Sequence, residues 1–140
     1  MPPTCAPVQG DHLTAVRVTV RSVTATVVSL DRAFPGETAL LGVSQGFGQG
    51  TGDTPVALAP DRAAVLFTQA AALRMPAAPG EWAMGMDGIT YTLELSAGWH
   101  VATFRWWGSP PPGWEPAAEL VEALLQAAAP WIVEPLVFTP

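Results

Sequence analysis

The sequence predicts an α+β fold: a small antiparallel β-sheet with two helices packed on one of its faces. Three observations carry that expectation. Apolar and polar residues alternate with period two in residues 13–30, 38–47 and 88–107, as half-buried strands require. Segments 60–74 and 116–129, each opened by proline, space their apolar residues as helices do. The strands come in groups ahead of each helix, which is not the strict alternation of a parallel βαβ fold.

Taken in order, residues 1–11 read as a flexible N-terminal tail and residues 12–140 as a single domain. In the stretch 13–30, Val16, Val18 and Val20 alternate with Arg17, Thr19 and Arg21, and the apolar phase then moves to Val23, Ala25 and Val27. With no Gly, Pro or Asn at the shift, a bulge near Arg21-Ser22 in one long bent strand is expected. Leu41, Val43 and Phe47 share the face of a second strand, and Gly46–Thr54 is expected to be an exposed, mobile, glycine-rich loop. Pro60-Asp61 opens the first helix, with Leu66, Ala70 and Leu73 inward; Pro76 and Pro79-Gly80 end it. Pro116 opens the second, whose buried face is Leu120, Val121, Leu124, Leu125 and Ala128; Pro130 stops it. The apolar tail 131–140 is expected to pack back on the body.

Segment 88–107 is the clearest hairpin. Ile89, Tyr91, Leu93 and Leu95 form one face, and His100, Ala102, Phe104 and Trp106 the matching face of the next strand. A two-residue loop at Ala97-Gly98 would pair Ser96 with Trp99, Leu95 with His100, Leu93 with Ala102, Tyr91 with Phe104 and Ile89 with Trp106. The opposite face would leave Trp99, Arg105 and Trp107 near solvent.

Composition narrows the function. Of 140 residues 49% are hydrophobic and only 13% charged, which excludes a disordered chain and leaves a surface short of charge. The net charge is −6, and the six bases are all Arg, scattered without a run. Nucleic acid and an anionic membrane surface are therefore not expected as partners. Cys5 stands alone and cannot form an internal disulfide. The start has neither a basic n-region nor an apolar h-region, and no apolar run approaches the ~20 residues of a membrane span, so a cytoplasmic protein is expected.

Catalytic motifs are thin. Gly42-Val43-Ser44-Gln45-Gly46 has the letters of a G-x-S-x-G nucleophile elbow, and a small hydrolase using Ser44 with a histidine is the alternative reading. However, glycine-rich loop rather than helix follows Ser44. The run GFGQGTG fits neither the dinucleotide fingerprint nor a P-loop, since the chain has no lysine. His12 and His100 lie far apart with no HExxH and no Cys pair, and nothing positions Asp87 and Glu94 as a catalytic pair. Neither a cofactor nor a metal is expected.

Six tryptophans, at 82, 99, 106, 107, 114 and 131, are the compositional anomaly. They serve either as the core of a small sheet or as an aromatic platform for a partner. Trp99, Arg105, Trp107 and Trp114 are the candidate binding residues, with Arg105 placed to stack on Trp107. The partner would be another protein or a second copy of the chain. Pro110-Pro111-Pro112 reads as a rigid linker rather than a polyproline ligand.

The carboxyl half runs from Pro60-Asp61 through Asp87-Gly88-Ile89-Thr90-Tyr91-Thr92-Leu93 to a Trp-rich strand and a closing Leu-rich helix. Over residues 58–128 this order resembles many small bacterial α+β proteins, including emfourin-type inhibitors of metalloproteases. The resemblance implies at most a non-catalytic binding role, of which an inhibitor is one form. The glycine-rich loop and the proline triplet depart from it, and no inhibitory residue carries over.

Overall fold

The computed structural model describes residues 12–34, 36–46, 49–51, 54–76 and 88–132. Within them the chain forms β1 (Ala15–Arg21), β2 (Ala25–Asp31), β3 (Leu40–Gln45), β4 (Gln49–Gly50), β5 (Val56–Ala57), α1 (Pro60–Ala71), β6 (Thr90–Ala97), β7 (His100–Trp107) and α2 (Glu115–Ala128). A 3-10 turn, Ala129–Trp131, closes α2. The strands make one sheet in the order β4-β3-β2-β1-β6-β7, with β5 also on β3, and every pairing is antiparallel. Two helices packed on this sheet complete the expected α+β arrangement.

Alternation decides which side of the sheet is covered. Val16, Val18 and Val20 of β1, Val28 and Leu30 of β2, Leu41 and Val43 of β3, and Leu93 of β6 are all buried. They meet Leu66 and Phe67 of α1 and Leu120 and Leu124 of α2 in one apolar core. Both helices carry proline at the first turn, where a missing N–H costs no hydrogen bond. The buried face of α2 is the one its spacing predicts, whereas Val65 of α1 points to water. Arg32, just past β2, lies 3.9 Å over the Phe67 ring and donates from Nε to the Leu13 carbonyl at 2.8 Å.

Three expectations need correction. The stretch 13–30 is not a single bulged strand but the β1–β2 hairpin, closed by Ser22-Val23-Thr24 with Arg21 opposite Ala25. The tip side chain of Val23 is fully solvated, so the inward residues of β2 are Thr26, Val28 and Leu30 rather than Ala25 and Val27. The Gly46–Thr54 segment is not wholly loop: Gln49 and Gly50 pair with Gln45 and Ser44, and Thr51 is bound to Val43 through both backbone and hydroxyl. Phe47 lies outside the described residues, and Gln45 holds the last inward position of β3, its Nε2 donating to Thr26 Oγ1 at 3.1 Å. That bond helps to satisfy the buried amide.

The third correction concerns the β6–β7 hairpin. Its loop is Gly98-Trp99, not Ala97-Gly98, so Ala97 pairs with His100, Leu95 with Ala102, Leu93 with Phe104 and Tyr91 with Trp106. Gly98 has φ +62°, the left-handed first position that a type II′ loop demands. Thr14 pins the turn: its Oγ1 accepts from Gly98 N at 3.2 Å and donates to Ser96 O at 3.3 Å. The shift from the expected register is two residues, and because strand side chains repeat every two, both faces stay as predicted.

Candidate functional site: the β6–β7 hairpin

The hairpin divides into a wet half and a packed half. At the tip, Trp99 is 99% exposed, and Val101, two residues into β7, is 59% exposed. His100, Ala102 and Thr103 are also exposed: among the described residues β7 is the last strand of the sheet and nothing covers its start. Further along, Phe104 is half-buried and Trp106 buried.

The packed half is an aromatic cluster. Trp114, at the N-cap of α2, meets Phe104 edge-on at 5.4 Å and Trp106 edge-on at 6.4 Å. Tyr91 stacks on Trp106 at 5.7 Å. The Trp114 indole Nε1 donates to the Pro76 carbonyl at 2.9 Å, which ties the segment after α1 to the start of α2. This gives the buried N–H its partner and explains how so large a ring is retained in the core.

The candidate binding residues therefore do not converge on one spot. Trp99 is at the tip; Arg105 (exposed) and Trp107 (half-buried) lie on the outer sheet face; Trp114 is buried on the inner side. Arg105 does not stack on Trp107: the cation–π contact among the described residues is that of Arg32 with Phe67. Trp107 instead lies against Gly88, where a Cβ would come within 2.7 Å of the indole Nε1. Trp82 lies outside the described residues. Sequence reasoning missed Val101 as an exposed partner of Trp99; its place on an edge strand was the missing signal.

Beside the cluster a groove of about 630 Å³ runs between α2 and the ends of β6 and β7. Tyr91 and Trp106 form its floor, Val121 and Leu125 its wall, and Glu122 and Gln126 its rim. Burial raises the Tyr91 hydroxyl above its ordinary pKa of 10.0, so it stays protonated at neutral pH.

The chemical alternatives can be placed by register. The row through Ser44 runs Val27, Thr19, Thr92, Arg105. Ser44 and His100 are thus four strand spacings apart, roughly 19 Å before any offset along the strands. His12 precedes β1, two strands away from β3. Ser44 faces a shallow hollow of about 320 Å³ with Arg17, Val27 and Thr51. Among the described residues no three His, Cys, Asp or Glu side chains gather in a metal-binding group. None of the described helices is long and apolar enough to cross a membrane. No family model, no curated protein and no solved structure matches the chain.

Proposed function

We propose that this chain is a non-enzymatic protein-interaction or regulatory module of the cytoplasm that binds through the β6–β7 hairpin. The observation that carries the reading is the pair Trp99 and Val101, 99% and 59% exposed on one hairpin. Large apolar side chains presented together gain from burial against a partner, and tryptophan is enriched among the anchors of such contacts. Arg105 and the half-buried Trp107 extend the surface along the outer face. Trp114 supports it from within rather than touching the partner.

The separation of Ser44 from His100 weighs against the hydrolase alternative, because a base must reach its nucleophile within hydrogen-bond distance. An inhibitor-like role, as the emfourin resemblance implies, is the narrower form of the same reading. Affinity capture from extract of the native host tests the proposal, with Trp99→Ala and a Trp99→Ala/Trp107→Ala double variant as controls. A protein retained by the wild type and bound about 30-fold more weakly by Trp99→Ala is expected, the factor for an anchor worth ~2 kcal/mol. Equal retention by all three chains would refute it.

A further inference from the structure

The two ends of the sheet are finished differently. At one end, β3 is capped by two-residue strands, β4 on Ser44-Gln45 and β5 on Leu40-Leu41. Very short edge strands are a standard protection against edge-to-edge pairing. At the other end stands β7, eight residues long. It contains no proline and no lysine, and Arg105 is its one side chain with a fixed charge. Apart from that one charge, none of the usual edge protections is present in it.

Register identifies the free backbone groups. In an antiparallel ladder, residues alternate between bonding inward to the partner and pointing away. Gly108 N donates to Ile89 O at 2.8 Å, in line with the pairing of Tyr91 with Trp106. Even-numbered residues of β7 therefore bond to β6, and Val101, Thr103, Arg105 and Trp107 turn their N–H and C=O groups to the open edge. Among the described residues these groups have no backbone partner.

That edge is self-complementary. An antiparallel pairing of β7 with β7 of a second copy, centred on Phe104, puts Val101 opposite Trp107 and Thr103 opposite Arg105. It satisfies every outward group of the four residues in both copies. Centring on Thr103 or Arg105 leaves one residue of each strand outside the ladder, and the latter sets Arg105 against itself. On the covered face the chosen centre places Ala102 against Trp106, small against large. The two-fold axis is then normal to the sheet, so both helix layers lie on the same side.

We infer that β7 is a homodimerisation edge, joining two copies into one continuous sheet. The inference rests on the interaction-module reading, taking the same hairpin as the contact surface and naming a second copy as its partner. Sedimentation equilibrium of the full chain tests it, together with amide exchange read at several concentrations. The expected mass is twice that of one chain. The amides of Val101, Thr103, Arg105 and Trp107 should exchange at least tenfold faster on dilution to monomer. Thr103→Pro removes an outward N–H that β6 does not use, and should return the mass of one chain. Val101→Lys keeps every backbone group and places a charge at the seam; it should raise the dimer dissociation constant at least tenfold even if the proline variant fails to fold. A single-chain mass at all concentrations overturns the inference, and so does a dimer whose four amides exchange freely. A monomer that still captures a foreign protein through Trp99 overturns the second copy as partner and leaves the interaction module standing.

Discussion

Replacing Trp114 by alanine asks how much of the fold rests on one indole. The ring keeps 6% of its exposure and touches Phe104 and Trp106 edge-on. A tryptophan buries up to ~250 Å². At about 25 cal/mol per Å² this is roughly 6 kcal/mol, an upper bound set by the extended-chain reference. The two edge contacts contribute ~0.5–1.5 kcal/mol each. Partial collapse of the site returns some of this, so Trp114→Ala should cost about 3–5 kcal/mol. Trp114→Phe keeps a ring but loses the Nε1 bond to the Pro76 carbonyl, and should cost about 1–3 kcal/mol. Trp99→Ala is the same chemical change at 99% exposure and should stay within about 0.5 kcal/mol of wild type. Urea titration followed by near-UV circular dichroism measures all three, provided the slope with denaturant is unchanged. If Trp114→Ala cost no more than Trp99→Ala, the aromatic cluster would not be the support claimed for it.

Gly88→Ala should lower stability by about 1–3 kcal/mol, since Gly88 has φ +135° and a Cβ would sit 2.7 Å from the Trp107 indole; an unchanged melting temperature would contradict that contact. Arg32→Ala should cost about 1–3 kcal/mol through loss of the Phe67 ring contact and the Leu13 hydrogen bond; recovery of the full loss by Arg32→Lys would show that charge alone sufficed. Burial raises the Tyr91 pKa in the folded state, so its stabilisation is complete below the unfolded value of 10.0 and is lost as pH rises through the higher folded value. No lysine shares that window, so Tyr91→Phe should flatten the alkaline fall in melting temperature; a fall of the same size in the variant would refute the assignment.

What was legible in the sequence followed periodicity, and what was not depended on where the chain reverses. Segment 88–107 declared its two faces because four successive apolar–polar pairs, Ile89-Thr90 to Leu95-Ser96, alternate cleanly. Its register differs by two residues because glycine can occupy either position of a two-residue loop, and the bond from Gly98 to Thr14 that favours one comes from a residue 84 positions away in sequence. The β1–β2 hairpin was hidden because Ser22-Val23-Thr24 has the composition of a strand. β4 and β5 are too short to show any period. In the candidate site, Trp99 was legible as a turn-adjacent residue of a two-faced hairpin. Trp114 was not, since it follows Gly113 in a connector where no alternation says which way a ring faces.

The position of β1 in the sheet has a consequence for synthesis. Its neighbours are β2, which follows at once, and β6, whose Thr90 pairs with Arg21. At about 5–20 residues per second the ribosome needs roughly 4–15 s to bring β6 out after β1 is complete. Through that interval the nascent chain carries a ladder with one side vacant, on a seven-residue strand whose three valines all point inward. A chain interrupted before residue 90 therefore leaves β1 with one edge unpaired, and the sheet is complete only once the β6–β7 hairpin has docked on that edge.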